Sequence, residues 1–136
     1  GIDIKDLDFS NETVNDTQKK IVAVATNSAK YGISARSGYC QAWVADVYQA
    51  VTGSRGSAHC ALCAADMWAV SSDWSKIPVG AAIYGYSSSK YGHVGIYIGN
   101  GMVAHNIGYI KIEPIEDWIK TYKGFAWGWE NGYIKE

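Results

Sequence analysis

The sequence predicts an α+β domain in which N-terminal helices pack on a central antiparallel β-sheet. Two observations carry that reading. Before residue 70, apolar side chains recur at helical spacing; after it, short runs alternate apolar and polar, separated by turn residues. A Gly-Asn-Gly turn, Gly99-Asn100-Gly101, joins the two clearest alternating runs and makes them neighbours.

Residues 1–16 carry Asp3, Asp6, Asp8, Glu12 and Asp16 among few apolar groups, the pattern of an acidic leader or linker remnant. The folded domain is expected over 17–136. From Thr17, Ile21, Val24, Ala25 and Ala29 share a helical face that Gly32 would stop. A second helix is predicted from Gly38 to Ala50, with Trp43, Val44, Val47 and Tyr48 inward, Ser37 as N-cap and Gly53 as terminator. That placement puts Cys40 in the first turn. An Ala-rich third helix is predicted over 58–70, with Leu62, Ala65, Trp68 and Ala69 inward. Strands follow at 81–86, 93–98, 102–106 and 109–113. Pro114 opens a short helix through Trp118 and Ile119. A last strand spans 124–130, and Asn131-Gly132 carries a hairpin signal.

Composition narrows function. The chain has 136 residues, one domain's length, with 48% hydrophobic and 18% charged residues. Twelve basic residues against 13 acidic give a net charge of −1, without the basic stripe that nucleic-acid binding requires. No apolar run approaches the roughly 18 residues of a membrane span. No basic segment followed by an apolar stretch marks a signal peptide, and a chain starting at Gly1 reads as cleaved or excised from something longer. Six Trp and ten Tyr against two Phe favour rings with a polar handle, which suit core packing with a wet edge first and polar ligands second.

Three cysteines argue against a disulfide framework and for at least one free thiol. A thiol is nucleophilic as the thiolate, which the positive end of a helix dipole and a nearby imidazole favour. Cys40 meets the first condition. His59, His93 and His105 are the available imidazoles. With a three-residue turn at 99–101, Ile98 pairs with Met102 and His105 lies opposite Gly95, so His93 and His105 are diagonal neighbours on one face. With a two-residue turn at Asn100-Gly101, Asn106 joins the face of His93 instead. Gly101 suits the left-handed position of the longer turn, which favours His105.

The segment Tyr39-Cys40-Gln41-Ala42-Trp43-Val44 and the segment Gly92-His93-Val94-Gly95-Ile96-Tyr97-Ile98-Gly99-Asn100-Gly101-Met102-Val103-Ala104-His105 together resemble the NlpC/P60 cysteine peptidases, papain-like cell-wall hydrolases. Ile77-Pro78-Val79-Gly80 resembles that family's entry to its sheet, and the likeness covers about residues 17–130. It implies a papain-like NlpC/P60 fold, with Cys40 as nucleophile, His93 as general base and acid, and His105 as the group that orients His93. It implies an oxyanion site at the Cys40 amide, with Tyr31 as candidate second donor, and no cofactor or metal. The family usually surrounds its cysteine with Asp-Cys-Ser-Gly. Tyr39, Gln41 and Ala42 stand there instead, so the usual γ-D-glutamyl–diamino acid specificity does not carry over.

The expected activity is cleavage of a stem-peptide or cross-bridge amide in bacterial peptidoglycan by a monomer acting outside the cell or in the wall. Alternatives are a CHAP-like amidase with Asn106 as third group, an acyltransferase or transpeptidase on the same scaffold, and a non-catalytic wall-binding module. His59-Cys60-Ala61-Leu62-Cys63 lacks the further ligands of a zinc site and reads as helix packing. Trp127 and Trp129 read as core and edge, or as lining an aromatic cleft rim.

Overall fold

The computed structural model describes residues 13–133. Most of the expected leader, residues 1–12, lies outside them. Helix α1, Asp16–Thr26, begins one residue earlier than expected because Asn15 and Gln18 close a reciprocal capping box. The Gln18 side chain also donates to the carbonyl of Val79 at 2.9 Å, tying α1 to the chain entering the sheet. The helix stops at Asn27 rather than Gly32. Gly32 ends a separate 3₁₀ turn, Ser28–Tyr31, in the left-handed conformation.

Helix α2 spans Cys40–Thr52 and ends at Gly53 with positive φ, as the sequence indicates. Its N-cap is Tyr39, not Ser37. Trp43, Val44, Val47 and Tyr48 are fully buried, each such apolar side chain contributing roughly 1.5–3 kcal/mol. The polar ends are satisfied too: Trp43 Nε1 donates to Ser28 Oγ at 3.1 Å, and the Tyr48 hydroxyl donates to the Gly80 carbonyl at 2.5 Å.

Helix α3 is only Ala61–Trp68. Its inward residues are Ala61, Ala64 and Ala65, whereas Leu62 and Trp68 are half-buried and Ala69 is exposed. Ala69–Ser71 forms strand β1 because it pairs with the last strand, a tertiary contact that overrides helical alanine. Cys60 and Cys63 are joined in a disulfide with Cα atoms 5.0 Å apart, correcting the expectation of packed thiols. Cys60 is the extended N-cap of α3, and that kink lets a three-residue spacing close.

The sheet continues with β2 (Ala82–Gly85), β3 (His93–Gly99), β4 (Met102–Asn106), β5 (Ile110–Pro114) and β6 (Ala126–Gly128), in the order β1-β6-β2-β3-β4-β5. Each neighbouring pair is antiparallel. Helix α4, Ile115–Tyr122, follows β5. The expected last strand is cut short at Gly128. Glu130–Gly132 is a 3₁₀ turn with Asn131 at positive φ, not a hairpin. Trp127 is buried and donates to the Asp73 carbonyl, and Trp129 packs on Tyr133, so both serve packing rather than a cleft rim.

The turn between β3 and β4 reconciles the two registers open in the sequence. Asn100 and Gly101 both have positive φ, and Gly99 pairs with Met102, so the turn has two residues. A bulge then shifts the ladder so that Tyr97 pairs with Val103 and Ile96 with Ala104. Past the bulge the register is that of the longer turn, and His93 and His105 share a face.

Candidate active site

Cys40 is the first residue of α2. Among the described residues no side chain caps that helix, so its first-turn amides are free for another acceptor. The backbone amides of Cys40, Gln41 and Val94, the residue after His93, act on the Cys40 thiol and favour its ionised form. Strand β3 therefore delivers the start of the histidine strand to the cysteine. Burial pushes the thiol above its ordinary value; those three amides pull it down, and Glu130 adds a smaller upward push.

His93 Nε2 lies 2.8 Å from His105 Nδ1, and His105 Nε2 lies 2.5 Å from a carboxylate oxygen of Glu113. These contacts fix both tautomers. The carboxylate of Glu113 only accepts, so His105 Nε2–H donates to it. His105 Nδ1 is then an acceptor, and His93 Nε2–H donates to it. The Nδ1 lone pair of His93 is left to take a proton. Gly95 makes this possible: a Cβ there would stand 3.0 Å from His105 Cβ and 3.0 Å from Val103 Cγ1.

Burial, and then His105, lower His93 to about 3. His105 is lowered by burial against the upward pull of Glu113. With the thiol raised and the imidazole lowered, both groups rest neutral. The histidines sit in an aromatic enclosure. Tyr122 stacks on His93 with centroids 4.1 Å apart, and fully buried Trp118 stands edge-on to His105 at 6.4 Å. Tyr122 gets there because Gly85, the cross-strand partner of His93, lacks a Cβ that would fall 2.5 Å from the Tyr122 carbonyl.

Asn106 does not take the third position. Its side chain donates to the carbonyls of Arg36 and Tyr39 at 2.8 and 3.4 Å, clamping the loop before the cysteine. On that loop the Arg36 guanidinium lies 4.2 Å over the Tyr39 ring. Tyr31 is 53% exposed on the 3₁₀ turn. His59 lies on the exposed approach to α3. No group of three or more His, Cys, Asp or Glu could hold a metal among the described residues, and none of their helices is long and apolar enough to cross a membrane.

Glu113 and Tyr122 were not singled out in the sequence. The signal for Glu113 was alternation: His105 pairs with Lys111, so Glu113, two residues on, shares its face. Tyr122 lies beyond the expected end of its helix.

A thiol at the start of a helix thus shares the neighbourhood of a strand that opens with one of two hydrogen-bonded imidazoles. The solved structures agree on the fold. A NlpC/P60 family protein from Bacillus cereus superposes with a TM-score of 0.56 at 17% identity, covering 81% of this chain and 40% of its own. NlpC2 from Trichomonas vaginalis superposes with a TM-score of 0.63 at 18% identity, covering 99% of this chain and 51% of its own. The fold is that of NlpC/P60 proteins, and the chain spans about half or less of the length of these two. No family model and no curated protein matches the sequence.

Proposed function

We propose that the protein is a cysteine hydrolase that cuts an amide bond in the stem peptide or cross-bridge of bacterial peptidoglycan. The observation that carries this reading is the relay His93–His105–Glu113, aligned on one sheet face and starting on the strand whose Val94 amide favours the Cys40 thiolate. A satisfied core histidine needs one partner; a relay that leaves one ring nitrogen free toward a thiol has a chemical use.

Cys40 attacks the amide carbonyl as His93 Nδ1 takes the thiol proton. The charge that develops on His93 is stabilised through His105 by Glu113. The amides of Cys40 and Gln41, at the positive end of α2, receive the oxyanion; one such donor is worth about 3–4 kcal/mol. His93 returns the proton to the leaving amine. Water, activated by the same ring, then releases the acyl group.

Tyr39 precedes Cys40 where the NlpC/P60 pattern that this chain resembles has an acidic residue, so the group accepted on the acyl side differs from a free amine. The protein acts as a monomer at the cell wall. Mass spectrometry of muropeptides from walls treated with wild type and Cys40→Ala tests the proposal. New termini made only by the wild type support it, and equal cleavage by both refutes it. Added amine captured as a new amide product would replace hydrolysis by acyl transfer.

A further inference from the structure

Glu130 is fully buried, and no catalytic step above uses it. One of its oxygens accepts a hydrogen bond from the Gln41 side chain at 3.1 Å. Gln41 directly follows Cys40, and its backbone amide favours the Cys40 thiolate. The next residue, Asn131, donates to the carbonyls of Ala45 and Ser54 at 3.0 and 2.9 Å. Gln41 and Ala45 lie one turn apart on α2. The 3₁₀ turn Glu130–Gly132 thus grips two successive turns of the nucleophile's helix from the far end of the chain.

The corner holds too many acceptors. Glu130 Oε1, Gln41 Oε1 and Asn131 Oδ1 are all buried without a partner. A carboxylate there would add negative charge to surplus lone pairs, whereas a carboxylic acid supplies a donor. The groups that sense its charge are Cys40 and Tyr48 on α2 and Tyr84 on β2. Helix α3 also packs on this turn, and its one acid, Asp66, is exposed. Among the described residues no lysine or arginine acts on Glu130: besides burial, the Gln41 side chain is the one group that does.

We propose that Glu130, kept as a neutral acid, is a positioning residue that holds the first turn of α2 through Gln41 and makes Cys40 harder to ionise once it loses its proton. The inference rests on the reading of Cys40 as nucleophile and on no assumption about the substrate. Burial raises the Glu130 carboxyl to about 8, below the thiol, which burial also raises from its ordinary value.

The test is the rate of Cys40 alkylation by iodoacetamide from about pH 6 to about pH 10, with peptide mapping, in wild type and Glu130→Gln. Glutamine keeps an oxygen for Gln41 and cannot ionise. The wild-type rate is expected to rise less than tenfold per pH step above about 8. Glu130→Gln should match wild type at the acid end, rise more steeply above about 8 and exceed it at the alkaline end. Superimposable profiles would overturn the proposal. Infrared difference spectra of wild type supply an arm that needs no variant. A carboxylic acid band lost through about pH 8 and missing from Glu130→Gln supports the proposal, and no protonated buried carboxyl at neutral pH overturns it. If walls are not cut but the profiles separate, the proposed function fails and this inference stands.

Discussion

Glu113→Gln isolates what the end of the relay does. The substitution preserves shape and removes charge. In the native protein the carboxylate accepts from His105 Nε2–H at 2.5 Å, with a side chain 12% exposed. A hydrogen bond to a charged partner nets about 1.5–3 kcal/mol, against about 1 kcal/mol for a neutral one. The amide oxygen can still accept, so the histidine tautomers survive while roughly 1–2 kcal/mol of support for the charging His93 is lost. That corresponds to a fall in kcat of about 5-fold to 30-fold. KM should hold, because Glu113 reaches Cys40 only through two imidazoles. Steady-state muropeptide release gives the constants, and ring ¹⁵N shifts of His93 and His105 report the tautomers. An unchanged kcat, or a raised KM at constant kcat, would refute the relay and place Glu113 against substrate instead.

Further outcomes follow from the same geometry. Tyr122→Ala should lower kcat by uncovering His93, whereas Tyr122→Phe, which keeps the stacked ring, should retain most activity; an equal loss in both would assign the role to the hydroxyl. Gly85→Ala places a Cβ 2.5 Å from the Tyr122 carbonyl, and should cost about 1–3 kcal/mol in denaturant melts while reducing turnover; a neutral effect would contradict the close approach of α4. The Glu130 carboxyl, raised from 4.5 to about 8, binds its proton more tightly when folded. Its stabilisation is therefore complete below the unfolded value and lost as pH rises through about 8. The neutral buried His93 and His105, both lowered from 6.5, act oppositely at acid pH. Between about 6.5 and 8 Glu130 acts alone of these, and about 2 kcal/mol of stability should disappear in wild type but not in Glu130→Gln. Parallel pH curves would contradict this.

The parts of the site that the sequence made legible are those set by local chemistry. Alternation from His93 to Ile98 and the turn glycines placed two histidines on neighbouring strands. Even there, the turn alone was ambiguous, and a bulge between Tyr97 and Gly99 decided the face. Gly53 ended α2 because only a residue tolerant of positive φ fits there. What stayed hidden depends on contacts between distant segments. Cys60 and Cys63 have the spacing of one helix face, and only the extended N-cap at Cys60 turns them into a bonded pair. Ala69–Ser71 has no strand character of its own and becomes one through β6. Glu130 read as the end of a strand, because nothing local reveals a carboxyl folded against a residue 89 positions earlier.

The central step of the proposed chemistry is the passage of an acyl group through the sulfur of Cys40. Rapid-quench mass spectrometry of the intact protein mixed with muropeptides tests this most directly. The expected result is a transient mass increase matching the acyl fragment, mapped to Cys40 and missing in Cys40→Ser. Turnover without any such adduct, retained in Cys40→Ser, would contradict it.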